Sequence, residues 1–306
     1  MTQRIYAEAC DASAAVQLDD GRHFVAATDD DNVLRVYDTH VPGVPVARLD
    51  VTAFLEPDDP EHLEADIEGA ARMGDRIYWI GSHGRSSTGK SRKIRRRLFA
   101  TTVTAHEKGA RLEVVGVPYG RLLRDLRESD ALTRFALETA AELPPEALGG
   151  LNIEGLAATV DGDLLVGFRN PVPEGRALLV RVHAPHVLVA APDARAQVSL
   201  GGWLDLGGRG IRAIEPIPER GGYVIVAGTH DDTNDFAVYV WSGRPTDQPR
   251  AIAADLTNLN PEEVIVRAVD GDAVLLSLFS DDGTKRCKLA PASERRFRSV
   301  DVRVRL

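Results

Sequence analysis

Apolar and polar residues alternate over short runs through most of the chain, and each run is closed by a Gly or Asp cluster. Alternation with period two between turn signals predicts half-buried strands. The runs recur as larger units. "DIEGAARMGDRIYWIGSHGR" at Asp66 to Arg85 and "NIEGLAATVDGDLLVGFRNP" at Asn152 to Pro171 align without a gap until just after Gly74. Weaker copies are "GIRAIEPIPERGGYVIVAGTHDD" from Gly210, "PEEVIVRAVDGDAVLLSLFSDDG" from Pro261 and "CDASAAVQLDDGRHFVAATDDD" from Cys10. Two further strand-like runs follow most copies, such as "VLRVYD" and "VARLDV", or "FAVYVW" and "RAIAAD".

Units of four strands recurring at roughly fifty to sixty residues predict an all-β chain folded as a β-propeller, its innermost strands lining a central channel. Five copies predict five blades within one domain spanning 1–306. The terminal runs "RIYAEA" and "VDVRVRL" leave six open. One longer gap, 117–150, breaks the period. Leu122, Leu123, Leu126, Leu132, Phe135 and Ala136 fall there at helical spacing, so a helical insertion is expected between the second and third blades. It would either cover one mouth of the channel or lie on the propeller's side. Trp79, Trp203 and Trp241 are expected to pack between blades.

The stretch "GRSSTGKS", Gly84 to Ser91, fits the phosphate-loop spacing G-x-x-x-x-G-K-[ST]. That loop needs a strand before it and a helix after it. "DRIYWIGSH" is a good entering strand, but Phe99, Thr101, Thr102, Val103 and Thr104 favour a second strand at the exit. The match therefore reads as the link between the second and third strands of a blade, without nucleotide hydrolysis.

A net charge of -9 argues against general nucleic-acid binding. No window approaches the roughly 18 to 20 apolar residues of a membrane helix, and no basic, then apolar leader opens the chain, so a cytoplasmic protein is expected. The cysteines, Cys10 and Cys287, are too few for a disulfide framework and read as buried thiols.

"CDASAAV", "DDDNVLRVYD", "DIEGAARMGDRIYWIGSHGR", "RRRLFAT", "NIEGLAA" and "LGGRGIRAIEPI" occur in order. Together they resemble the bacterial family called domain of unknown function 3616 over nearly the whole chain. That family is similar in turn to phytase-like propellers, which carry an "EG" motif in the same place. The resemblance implies the fold and no established reaction.

The start of a blade's first strand and the end of its antiparallel second strand share one sheet edge. Aligning the copies brings Asp11, Glu68, Glu154, Arg212 and Glu263 to that edge, with His83, Arg85, Arg169, Asn170 and His230 from the second strands. A ring of carboxylates in a poorly solvated channel repels itself unless a cation joins it. Asp11, Glu68, Glu154 and Glu263 are thus candidate ligands for Ca²⁺, or for Mg²⁺ or Mn²⁺. Arg85, Lys90, Arg92, Arg169, Asn170 and Arg212 would bind an anionic, phosphorylated small molecule, and His83 or His230 would move the proton. The expected function is metal-dependent hydrolysis at the channel mouth. The alternatives are a non-catalytic propeller binding a ligand or protein there, and a calcium-dependent lactonase or esterase.

Overall fold

Each repeated unit becomes one four-stranded antiparallel sheet in the computed structural model, which describes residues 2–106, 109–218, 220–231, 233–282, 287 and 289–306. After β1 (Thr2–Ala7) the first blade holds β2 (Ala14–Gln17), β3 (His23–Ala27), β4 (Val33–Asp38) and β5 (Ala47–Asp50). The second holds β6 (Ile67–Met73), β7 (Arg76–Gly81), β8 (Leu98–His106) and β9 (Gly109–Tyr119). In the third are β10 (Asn152–Ala158), β11 (Leu164–Asn170), β12 (Ala177–Val182) and β13 (Val198–Leu204). The fourth contains β14 (Gly210–Pro216), β15 (Tyr223–Gly228), β16 (Phe236–Trp241) and β17 (Arg250–Ile252). The fifth combines β18 (Pro261–Asp270), β19 (Ala273–Ser280) and β20 (Arg296–Arg305) with β1.

β2, β6, β10, β14 and β18 touch one another in ring order, β18 returning to β2. These are the inner strands, and the ring has five blades. β1 pairs antiparallel with β20, Tyr6 opposite Phe297, so the N-terminal strand is the outer strand of the last blade and not part of a sixth. The seam is aromatic: Tyr6 meets Phe24 edge-on with centroids 5.0 Å apart and stacks on Phe297 at 5.2 Å. Tyr37 donates its hydroxyl to the Ala7 carbonyl at 2.7 Å.

Inner strands crowd the axis where side chains are smallest. A Cβ on Gly69 would stand 2.9 Å from both the Glu154 carbonyl oxygen and Leu156 Cβ, and one on Gly155 would stand 2.7 Å from Ile211 Cγ2. Trp79 and Trp241 are buried in the packing between blades. Trp203 differs. It is half-buried and meets Phe135 at 6.1 Å and the Arg134 guanidinium at 4.4 Å.

Between β9 and β10 the chain forms α1 (Leu122–Arg127), a 3₁₀ turn (Asp130–Phe135) and α2 (Leu137–Ala140). Leu122, Leu123, Leu126, Leu132 and Phe135 share one core with Leu98 and Ala100 of the second blade and Leu178 and Val180 of the third. These helices fill a wedge between two blades, while the chain following them reaches the channel mouth. α3 (Pro185–Ala190) links β12 to β13. Among the described residues, no helix is long and apolar enough to cross a membrane.

Cys10 and Cys287 form a disulfide across 277 residues of sequence, which corrects the expectation of two buried thiols. Ring closure brings together the entry to the first blade and the β19–β20 connection, a proximity invisible to spacing. Disulfides persist mainly in oxidising compartments. Cysteine usage therefore gives no support to a cytoplasmic home.

"GRSSTGKS" lies between β7 and β8, the second and third strands of its blade. Its backbone turns on bonds from the Ser86 amide to the Lys90 carbonyl and from the Gly89 amide to the Ser86 carbonyl. No helix follows it.

Candidate functional site

Four inner strands slip register near their starts and leave one residue without a partner across the ladder: Glu68 in β6, Glu154 in β10, Arg212 in β14 and Glu262 in β18. A bulge re-aims the side chain it carries. All four line one cavity of ≈ 440 Å³ at the channel mouth, joined by Asp29, Arg169 and Asp281 from second-strand ends and by Asp66 and Arg95.

Glu262 occupies the place expected of Glu263. β18 has a further register slip between Val266 and Ala268, an extra residue that a gapless alignment cannot see. Glu263 instead turns into the protein and accepts from the Ala15 amide at 3.0 Å and from its own neighbour Val264 at 2.7 Å. Burial pushes its carboxyl well above the usual carboxylate range.

The cavity's charges fall into two sets. Glu154 is neutralised: its Oε1 accepts from Asn152 Nδ2 and from Arg169 Nη1, both at 2.9 Å, and its Oε2 lies 3.6 Å from Arg212 Nε. Arg169 also donates to the carbonyls of Thr229 at 3.0 Å and Asp231 at 3.1 Å. Arg95 is held by Asp66 at 2.7 Å and Glu64 at 2.5 Å.

The second set is acidic. Burial raises the Glu68 carboxyl well above its usual value, and the charges of Glu154, Asp66 and Asp29 push it further. Burial likewise pushes Glu262 up to about 8. Arg212, 3.0 Å away, opposes the shift, while Asp11, Asp281 and Glu154 add to it. Both shifts favour the protonated form of the acid. Asp11, Asp29 and Asp30 each bring an oxygen within 4.8 Å of the others, on the first blade's side of the mouth.

The remaining expected residues lie elsewhere. His83 is 1% exposed, donates from Nδ1 to the Gly81 carbonyl at 2.9 Å, and is pushed by burial down to about 4. It is neutral and does not line the cavity. His230 is half-buried and also outside the lining. Arg85 is bound to the Ala141 and Gly89 carbonyls and paired with Glu142. Lys90 is exposed, and Arg92 faces Asp59 at 3.7 Å. Asn170 is structural in its contacts, donating to the carbonyls of Pro145 at 2.8 Å and Ala147 at 2.7 Å. It pins the chain leaving α2 beside the mouth, where Pro145 and Glu146 form part of the wall.

Arg95 and Glu262 are cavity residues that sequence reasoning missed. Arg95 stands in the run "KSRKIRRR" among five other basic residues. Only the fold of that connection selects the one that turns inward.

Similar solved structures include the extracellular domain of a putative hybrid two-component system, BT4673 from B. thetaiotaomicron, at 13% identity over 89% of this chain and 32% of that one, TM-score 0.33. Pseudomonas fluorescens PhoX in complex with vanadate matches at 11% over 90% and 57%, TM-score 0.38. A luciferin-regenerating enzyme matches at 6% over 100% and 96%, TM-score 0.43. The chain thus spans about a third of the first protein's length, and likeness this distant says nothing of activity. No curated protein matches at a significant level. The family model described as protein of unknown function, DUF3616, matches residues 95–273, more than half of the chain, together with three of the five blades' inner strands facing the mouth, and the chain belongs to that family.

Proposed function

We propose that the channel mouth binds a phosphorylated small molecule and hydrolyses it with the help of a divalent cation. The observation that carries this reading is the gathering, in one cavity, of the acids Glu68 and Glu262, whose carboxyls burial raises, with the guanidinium groups of Arg95, Arg169 and Arg212. A volume of ≈ 440 Å³ suits a small ligand.

Glu154 is a positioning residue in this scheme. By holding Arg169 and Arg212 it presents donors to non-bridging phosphate oxygens in a fork geometry. Glu68, whose carboxyl is raised by burial and by the neighbouring acids, is suited to donate a proton to the leaving alkoxide. The oxygens of Asp11, Asp29 and Asp30 are hard donors of the kind that fit Ca²⁺, Mg²⁺ or Mn²⁺. Such a cation, when bound, supplies a Lewis acid and lowers the pKa of its water.

Elemental analysis of purified protein, followed by phosphomonoester and phosphodiester substrates with each cation, tests the reading. Turnover that falls roughly 10²-fold or more in Glu68→Gln, with the fold intact, supports it. Anion binding with no turnover would make the mouth a binding site instead. Turnover of lactones or carboxylic esters alone, at the mouth and dependent on Ca²⁺, would favour calcium-dependent ester hydrolysis.

A further inference from the structure

On the face opposite the mouth, where β10 ends and β11 begins, a second cavity of ≈ 460 Å³ opens between the third and fourth blades. His183, Ser199, Arg181 and Tyr223 are among its walls. Asp163 directly precedes β11, His183 directly follows β12, and Ser199 is the second residue of β13. The antiparallel ladders set Leu164 opposite Val182 and Arg181 opposite Ser199, which brings the three side chains to one sheet edge.

Their hydrogen bonds run in series. Asp163 Oδ2 lies 2.9 Å from His183 Nδ1, and His183 Nε2 lies 2.9 Å from Ser199 Oγ. A carboxylate at Nδ1 fixes the proton there, so Nε2 is the acceptor for the serine hydroxyl. Asp163 is itself anchored by the Ala184 amide at 3.0 Å and Arg181 Nε at 2.7 Å. Burial opposes its ionisation, but the Ala184 amide, Arg181 and His183 together hold its carboxyl below the usual range. Asp163 is 13% exposed, Ser199 is half-buried and the imidazole is 38% exposed to solvent, and His183 and Ser199 both line the cavity.

We infer that Asp163, His183 and Ser199 form a nucleophilic triad that hydrolyses small carboxylic esters at this second cavity, independently of the mouth. A triad is recognised by the roles and geometry of its members and not by a sequence motif, which is why the lack of G-x-S-x-G does not count against it. Ser199 Oγ adds to the acyl carbon as its proton passes to His183 Nε2. The ester C–O bond then breaks, and the alkoxide departs with that proton as an alcohol. Water adds to the acyl-serine, giving a proton to His183. The carboxylic acid leaves as Ser199 regains its hydroxyl proton. Arg181 has Nε and Nη2 bound to Asp163 and Asp161, both at 2.7 Å. Its Nη1 is the donor left for the oxyanion that develops.

The test treats the whole protein, in EDTA, with a fluorophosphonate probe and with p-nitrophenyl acetate. The expected results are a covalent adduct on Ser199 by peptide mass spectrometry, and ester turnover that falls on the order of 10³-fold in Ser199→Ala and in His183→Gln. EDTA separates this activity from the mouth, whose proposed reaction needs a cation. An unlabelled Ser199 in the folded wild type, or equal turnover in wild type and Ser199→Ala, would overturn the inference. So would full labelling of Ser199 in His183→Gln, since the serine would then react without its base.

Discussion

Glu154→Gln removes one negative charge from the centre of the mouth and nearly nothing else. Glu154 and Arg169 are 5% and 7% exposed, so the charge left behind has little water to turn to. Breaking a buried ion pair by removing one partner costs about 3 to 5 kcal/mol. The glutamine keeps an oxygen for Asn152 and Arg169, Arg169 keeps two backbone carbonyls, and Arg212 keeps Glu262 at 3.0 Å. The loss should therefore sit at or below the low end, about 2 to 3 kcal/mol. For a domain of this size that lowers the melting temperature by roughly 4 to 12 °C. Differential scanning calorimetry on the wild type, Glu154→Gln, Arg169→Gln and the double variant measures it. The double variant should lose less than the sum of the singles, by about 1 kcal/mol or more. An unchanged melting point in Glu154→Gln, or strictly additive losses, would refute the idea that Glu154 serves to hold the two arginines.

Three more outcomes are expected. Glu215 and Glu262 are both pushed by burial to about 8, and Glu68 is also raised, against an unfolded carboxyl near 4.3. The folded state then binds more protons than the unfolded chain across this window, so stability is greatest below the unfolded value and is lost as pH rises. Melting temperature in EDTA should fall between about pH 5 and pH 8; a rise over that range would contradict the assignment. Gly69→Val and Gly155→Val should each cost about 1 to 3 kcal/mol by overpacking, given contacts of 2.9 and 2.7 Å to a bare Cβ, and undisturbed melts in both would mean the axis is not crowded. Calorimetry with ATP and Mg²⁺ should register no binding at "GRSSTGKS", whereas binding abolished by Lys90→Ala would reverse that reading.

Much of the architecture is local and was legible in the chain. Alternating runs, Gly and Asp turns and a repeating four-strand unit depend on neighbours a few residues apart, so the blades, and the edge where inner strands begin, follow from pattern alone. Glu68 and Glu154 are legible because two copies align without a gap over their first strands, while Arg212 comes from the weaker copy at Gly210 and Arg169 from a second-strand end at the same edge. Glu263 was not separable from Glu262, because an additional bulge in β18 shifts the strand by one residue and a shift of one turns a side chain to the other face. The chain also could not show that β1 joins β20, that Cys10 meets Cys287, or that Asp163, His183 and Ser199 line up across three strands. Those depend on how the ring closes and in which register the ladders pair. Contacts of that kind join residues far apart in sequence, and only the three-dimensional packing of the whole chain decides them.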